Sequence, residues 1–162
     1  MPLYDAQGRK HDYMRISVTD RCNLRCQYCM GENGIAQIDH NSILSYEEIM
    51  KVVVAGAELG ISKIRITGGE PLVRKNIVDL VRQIAALKKI RDLSLTTNGI
   101  LLSCYASMLK KAGLNRVNIS IDSLQPDRFR KITRCGELQP VLNGIQSALD
   151  HRLDPVKLNV VL

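Results

Sequence analysis

The fold is decided by a kind of stretch that recurs along the chain, best seen in Lys63-Ile64-Arg65-Ile66-Thr67-Gly68-Gly69-Glu70-Pro71. Polar and β-branched apolar side chains alternate up to Thr67, which is typical of a strand with two different faces. Two glycines and a proline then end the strand. The same alternation predicts five strands, over residues 14–19, 63–67, 92–97, 116–122 and 156–162.

Amphipathic helices separate these strands. Ser45-Tyr46-Glu47-Glu48 is a capping box, which predicts a helix from there to about Gly60. Three more helices show apolar stripes, and Gly113 predicts the end of the third. Their stripes are Ile77, Leu80, Val81, Ile84 and Leu87, then Leu102, Tyr105, Leu109 and Ala112, then Leu138, Val141, Leu142, Ile145 and Leu149. Strands that alternate with helices indicate parallel β/α units.

The predicted sheet has one apolar and one polar face, because successive side chains of a strand point to opposite sides. The polar face comprises Arg15, Ser17, Thr19, Arg65, Thr67, Ser94, Thr96, Asn98, Asn118, Ser120, Asp122, Lys157 and Asn159. A polar inner face fits an open, curved sheet around a wet, ligand-holding lumen better than a closed, filled barrel. We therefore expect an α/β fold, a partial (β/α) TIM-like barrel with parallel strands, outer helices and a polar lumen face.

Three cations lie on that polar face. Arg15, Arg65 and Lys157 are expected to face Asp122 alone among carboxylates. Because a buried cation without a partner is costly, an anionic ligand is the simplest explanation. The alternative is that the three side chains project beyond the sheet into water.

The composition favours one compact domain. The chain has 162 residues, of which 45% are hydrophobic and 24% charged. It has no apolar run of membrane-spanning length and no apolar leader near its start, so we expect a cytoplasmic protein. The net charge of +7 is spread along the chain, with one Phe and no Trp, which argues against a nucleic-acid partner.

Three cysteines follow the first predicted strand, in Cys22-Asn23-Leu24-Arg25-Cys26-Gln27-Tyr28-Cys29. Three thiolates can hold three irons of a [4Fe–4S] cluster and leave the fourth iron open to a small molecule. A Cys₃His zinc site or ordinary core thiols are alternatives, although His40 lacks the usual zinc-finger spacing. We expect Cys104 to be a packed thiol in a helix, and Cys135 to lie in a loop without an assigned role.

The cysteine spacing, with Tyr28 before the last cysteine, resembles the signature of radical SAM enzymes. Gly68-Gly69-Glu70-Pro71 resembles the glycine motif with which that superfamily contacts S-adenosylmethionine. Over nearly its whole length the chain is similar to the GTP 3′,8-cyclases of molybdenum cofactor biosynthesis. The stretches that carry this second resemblance are residues 13–23, 64–71, 96–99, 117–124 and 156–159.

The resemblance implies a set of site residues. They are Cys22, Cys26 and Cys29 for a [4Fe–4S] cluster, Tyr28, Gly69 and Ser120 for S-adenosylmethionine, and Arg15, Arg65, Thr96 and Lys157 for GTP. Glycine is expected at position 69 so that the backbone can approach the cofactor closely.

The resemblance also implies an activity. The enzyme would be a lyase that cyclises GTP to (8S)-3′,8-cyclo-7,8-dihydroguanosine 5′-triphosphate through a 5′-deoxyadenosyl radical. An external electron donor is implied, as is a monomer or homodimer without nucleic-acid or membrane partners.

The chain also departs from this family. Family members are longer, and their later part carries a second cysteine triad, so residues 1–162 are expected to be an incomplete radical SAM core. Gly31 stands where the family commonly has Pro. The alternatives are a different radical SAM enzyme, or a cluster- and cofactor-binding domain without complete activity.

Overall fold

The computed structural model describes residues 3–34, 39 and 42–161. Near its start a short antiparallel hairpin, which the sequence did not predict, is formed by β1 (Leu3–Tyr4) and β2 (Lys10–His11). The main sheet of the described residues has five parallel strands in chain order. They are β3 (Tyr13–Ser17), β4 (Lys63–Thr67), β5 (Asp92–Thr97), β6 (Arg116–Ser120) and β7 (Val156–Asn159). The five predicted strands are therefore confirmed.

Three of these strands end earlier than predicted. β3 and β6 stop at Ser17 and Ser120, and β7 stops at Asn159, whereas Leu162 lies outside the described residues. Single backbone hydrogen bonds continue the pairing past two of these ends, from Val18 N to the Thr67 oxygen at 2.9 Å and from Ile121 N to the Asn159 oxygen at 3.0 Å. The chain then turns into the loops that carry the site.

Helices connect the strands on one side of the sheet. Within the described residues they are α1 (Tyr46–Glu58), α2 (Ile77–Ala85), α3 (Leu102–Lys111), α4 (Pro126–Thr133) and α5 (Leu138–Asp150). Four of them were predicted. The sequence did not predict α4, because Phe129 and Thr133 are its only buried residues and it has no apolar stripe. None of the helices in this part of the chain has the length and apolar composition needed to cross a membrane.

The predicted ends of two helices are confirmed. At the start of α1, the Ser45 hydroxyl accepts a hydrogen bond from Glu48 N at 3.2 Å, and a Glu48 carboxylate oxygen accepts one from Ser45 N at 2.8 Å. After α3, Gly113 has a φ of 101°, which glycine adopts without the strain a side chain would add.

The helices pack on the apolar face of the sheet. In β4, β5 and β6 the apolar side chains are at most 1% exposed: Ile64, Ile66, Leu93, Leu95, Val117 and Ile119. Each such burial contributes about 1.5–3 kcal/mol relative to exposure. On β7 the face is not buried, since Leu158 is 51% exposed. The prediction of one apolar face is thus confirmed for the middle of the sheet. The opposite, polar face carries the predicted GTP residues.

Candidate active site

The loops that carry the predicted site meet at one edge of the sheet. Because the five strands are parallel, their carboxyl ends share that edge, where ligands of α/β proteins usually bind. Residues 20–34, here called the cysteine loop, follow β3 at this edge. Gly68 and Gly69 follow β4, Asn98 follows β5 and Asp122 follows β6.

The cysteine loop is held from behind by α4 and the residue after it. Arg25 N donates to the Thr133 carbonyl at 3.1 Å, and Gln27 N donates to the Ile132 carbonyl at 2.9 Å. Arg134 donates from one guanidinium nitrogen to the carbonyls of Arg25 at 2.8 Å and Met30 at 2.7 Å. The helix that was not predicted from the sequence, α4, therefore supports the cysteine loop through these hydrogen bonds.

The glycine motif presses against the opposite side of the cysteine loop. Gly69 N donates to the Thr19 carbonyl at 2.7 Å, and Glu70 N donates to the Arg21 carbonyl at 2.8 Å. A Cβ at Gly69 would collide with the Arg21 carbonyl oxygen and lie 2.7 Å from its carbonyl carbon. At Gly68 a Cβ would lie 2.5 Å from the Thr19 oxygen. Glycine was expected at position 69 for the approach of a cofactor; the structure shows a close approach between two loops of the protein at the same residue.

The three predicted cluster ligands lie on the cysteine loop with different exposure. Cys22 and Cys26 are half-buried and Cys29 is exposed. Burial, reinforced by the neighbouring Cys22, raises the pKa of Cys26 to about 11. Burial also raises the pKa of Cys22. In the metal-free protein both groups are therefore neutral thiols near neutral pH, and a positively charged metal centre would favour their thiolate forms.

The donors around Cys22 fit a thiolate that ligates a cluster. Leu24 N lies 3.4 Å from the Cys22 sulfur, and the side-chain nitrogen of Asn98 lies 3.9 Å from it. Such N–H groups stabilise negative charge on cluster sulfurs. No group of three His, Cys, Asp or Glu side chains in the described part of the chain converges on a site for a single metal ion. His40, the histidine weighed for the zinc alternative, lies outside the described residues.

The polar strand face brings the four predicted GTP residues into two adjacent rows. Arg15 lies directly beside Arg65 in the β3–β4 ladder, while Asn118 pairs with both Thr96 and Lys157. The two rows are two residues apart along the strands, about 7 Å. Arg15 and Lys157 are exposed and Arg65 is half-buried. The Nε atom of Arg65 is buried and has no hydrogen-bond partner among the described residues.

Two sequence expectations need correction. Asp122 is not the sole carboxylate of the polar face, because Asp92 lies there too, where it forms a 2.7 Å salt bridge with Arg116. Cys104 is exposed, not packed, because α3 buries Leu102, Ala106 and Leu109 on its other side. Cys135 lies in the loop between α4 and α5, as expected, with its sulfur 3.6 Å from the Asn23 carbonyl oxygen.

Several site residues were not singled out from the sequence. Glu70 accepts a hydrogen bond from Asn98 N, while Asn98 and Arg134 donate hydrogen bonds to the cysteine loop itself. Glu70 and Asn98 lie within the motifs Gly68-Gly69-Glu70-Pro71 and Thr96-Thr97-Asn98-Gly99, so a motif signal was present. Arg134 lies in none of the quoted motifs, so no sequence signal for it was present.

Comparison with known proteins identifies close relatives. A family model described as "Radical SAM superfamily" matches residues 16–162. The GTP 3′,8-cyclase of Petrotoga mobilis is 54% identical over 160 residues, which are 99% of this chain and 50% of that protein. The protein of the same name from Desulforamulus reducens is 60% identical over 159 residues, 98% of this chain and 49% of that one. The chain thus spans about half the length of the curated relatives it matches.

Solved structures share the fold at low identity. HydG, a maturase of the [FeFe]-hydrogenase, has a TM-score of 0.74 and 20% identity, over 92% of this chain and 34% of that one. Methylornithine synthase (PylB) has a TM-score of 0.72 and 15% identity, over 91% of this chain and 44% of that one. These likenesses show the fold alone, an α/β partial barrel. Because the family model covers nearly all of the sequence, the chain belongs to the radical SAM superfamily, whose members use a [4Fe–4S] cluster and S-adenosylmethionine.

Proposed function

We propose that this chain is the cluster- and cofactor-binding core of a GTP 3′,8-cyclase of molybdenum cofactor biosynthesis. The observation that carries the proposal is the pair of arginines on the polar face, where Arg15 lies beside Arg65 and the Arg65 Nε is buried without a hydrogen-bond partner among the described residues. An anion with several charged oxygens, such as a triphosphate, would occupy these donors. The name shared by the curated relatives supports GTP as the nucleotide.

Cys22, Cys26 and Cys29 would hold the [4Fe–4S] cluster. The N–H groups of Leu24 and Asn98 near Cys22 support this assignment, because they would offset thiolate charge. When bound, the cluster and S-adenosylmethionine supply a carbon-centred radical that removes a hydrogen atom from the substrate. The chain's own contribution is to place the three thiols on a loop that α4 and the glycine motif hold from both sides.

Tyr28, Gly69 and Ser120 would bind S-adenosylmethionine. All three lie at the carboxyl edge of the sheet, with Tyr28 on the cysteine loop, Gly69 after β4 and Ser120 at the end of β6. The amino group of the cofactor is a donor, so its contact with Gly69 would use the Gly69 carbonyl oxygen, while the Gly69 N–H donates to the Thr19 carbonyl.

Arg15, Arg65, Thr96 and Lys157 would bind GTP. Three cations and one hydroxyl in two adjacent rows suit a chain of phosphates, and charge-assisted hydrogen bonds of this kind contribute about 1.5–3 kcal/mol each. By fixing the phosphates on the strand face, they would hold the sugar toward the carboxyl edge, where the reaction takes place.

Residues 1–162 would form one radical SAM core, and the hydrophobic cluster that joins the sheet to its helices in the described part of the chain supports this. The cluster would receive its electron from an external donor. The protein would act in the cytoplasm as a monomer or homodimer, without nucleic-acid or membrane partners.

The test separates cluster, cofactor and substrate. The chain is reconstituted anaerobically with iron and sulfide, reduced chemically and given S-adenosylmethionine, and 5′-deoxyadenosine is measured in a single turnover. We expect it to form, and to form faster with GTP than with GDP, guanosine or no nucleotide. Equal rates under all four conditions would contradict GTP as the substrate but not the cofactor assignment. A protein that takes up no iron would contradict both.

A further inference from the structure

The carboxylate of Glu70 is directed into the protein. The side chain is fully buried, and its oxygens accept hydrogen bonds from Leu72 N at 3.0 Å, the Thr97 hydroxyl at 2.8 Å and Asn98 N at 2.6 Å. A buried carboxylate is tolerated only with such bonds, so they fix the backbone that leaves β5. The acidic residue of the glycine motif thus holds Asn98, and does not line the polar face.

Asn98 reaches from that backbone to the cysteine loop. Its side-chain nitrogen donates to Asn23 Oδ1 at 2.7 Å and lies 3.9 Å from the Cys22 sulfur. Its side-chain oxygen accepts from Ile100 N at 3.1 Å. Exchanging the two amide atoms would place an NH₂ group against the Ile100 N–H, so the turn itself orients the N–H donors toward Cys22.

We propose that Asn98 is a positioning residue, which orients Cys22 and raises the reduction potential of a cluster bound there, and that Glu70 acts through it. The proposal rests on the proposed function in one respect, that Cys22 ligates the cluster. Hydrogen bonds to cluster sulfurs favour the reduced form, because reduction adds negative charge that the N–H dipoles stabilise. Asn98 would thereby set how strong a reductant the enzyme needs.

Two substitutions remove the donor in different ways. Asn98→Ser is too short to reach Cys22, but its hydroxyl can still accept from Ile100 N, as the Ser123 hydroxyl accepts from Gln125 N at 3.1 Å in the same chain. Asn98→Asp keeps the acceptor and adds a negative charge beside Cys22. Asn115→Asp is the matched control, since Asn115 Oδ1 accepts from Leu93 N at 2.7 Å at the opposite end of β5.

The first measurement is the midpoint potential of the reconstituted cluster, determined from its electron paramagnetic resonance signal during a redox titration. Only the difference in the strength of this bond between the reduced and the oxidised cluster shifts the potential, and a roughly tenfold change in the reduction equilibrium corresponds to about 59 mV for one electron. We expect Asn98→Ser to lower the potential by about that amount, Asn98→Asp to lower it further, and Asn115→Asp to leave it unchanged. Potentials of both Asn98 variants equal to wild type, or an equal shift in Asn115→Asp, would overturn the proposal.

The second measurement needs no cluster. In the metal-free protein, amide hydrogen exchange reports the order of the cysteine loop directly. We expect the Leu24 amide to exchange roughly tenfold faster in Asn98→Ser than in wild type, because the loop opens more often, with the exchange of the α2 amides as the control for global stability. Unchanged exchange at Leu24 would overturn the positioning role. A wild-type chain that takes up no cluster would refute the proposed function, while this measurement would still decide the role of Asn98.

Discussion

The hydroxyl of Tyr28 donates a 2.7 Å hydrogen bond to Oδ2 of Asp122, and thereby ties the cysteine loop to the segment after β6. The other oxygen of that carboxylate accepts from Val161 N at 2.9 Å, just beyond β7. Partial burial and the bond to Asp122 both raise the pKa of Tyr28, so its hydroxyl remains a proton donor throughout the neutral range. One carboxylate therefore connects three segments at the carboxyl edge of the sheet.

Tyr28→Phe keeps the ring and removes only this bond. Since a hydrogen bond contributes about 0.5–1.5 kcal/mol, we expect S-adenosylmethionine to bind roughly two- to tenfold more weakly, measured by calorimetry on the reconstituted protein. Tyr105→Phe, on α3, is the control and should bind as wild type does. If Tyr28→Phe kept full affinity, the Asp122 bond would have no part in forming the cofactor site.

Replacing any one of Cys22, Cys26 and Cys29 by Ala should abolish the cluster. Wild type should contain about four irons per chain after anaerobic reconstitution, because a cubane holds four, and each variant should lose the brown absorbance. Cys104→Ala is the matched control, since Cys104 is exposed on α3. Stoichiometric zinc in place of iron in the wild-type protein would disprove the cluster assignment.

Gly69→Ala tests why a glycine stands after β4. Its Cβ would force apart the glycine motif and the Arg21 carbonyl, and overpacking of this kind typically costs about 1–3 kcal/mol. Because the strain falls on the cysteine loop, we expect reduced iron content as well as weaker cofactor binding. At Gly31, the control, a Cβ would have its nearest contact at 3.9 Å, so Gly31→Ala should retain its iron. Normal iron with selectively lost cofactor binding in Gly69→Ala would instead favour direct crowding of the ligand.

Arg65→Ala and Lys157→Ala test the anion site on the polar face. Each should weaken GTP binding by roughly ten- to hundredfold, since a charge-assisted contact contributes about 1.5–3 kcal/mol. Cluster content and S-adenosylmethionine binding should not change. Lys63→Ala is the control, because Lys63 lies on the same strand but forms a 3.1 Å salt bridge with Asp12.

Comparing nucleotides sharpens that test. If the cations bind phosphates, wild type should prefer GTP over GDP and guanosine, and the Arg65 and Lys157 variants should lose the preference. Where affinity in this chain is too weak for calorimetry, competition with a fluorescent GTP analogue gives the same ratio. Variants that bind GTP as tightly as wild type would show that Arg65 and Lys157 do not contact the nucleotide.

The sequence by itself determined the five strands of the main sheet, four of the helices and the two faces of the sheet. Alternation such as Lys63-Ile64-Arg65-Ile66-Thr67 specifies a strand with a polar and an apolar side, and Ser45 with Glu48 specifies a helix start, because both patterns depend on neighbours within a few residues. Parallel pairing then followed from the alternation of strands and helices. The cysteine spacing and the glycine motif pointed to a candidate site at one edge of the sheet.

Only the tertiary structure decided what these residues touch. It showed that Gly69 faces the Arg21 carbonyl, that Glu70 points inward to Asn98, and that Cys104 is exposed. It also showed that α4 and the residue after it support the cysteine loop, where Arg134 bonds to Arg25 across a separation of 109 residues. Such contacts leave no periodic trace in the sequence, because their geometry is set by how the packed sheet and helices bring distant loops together.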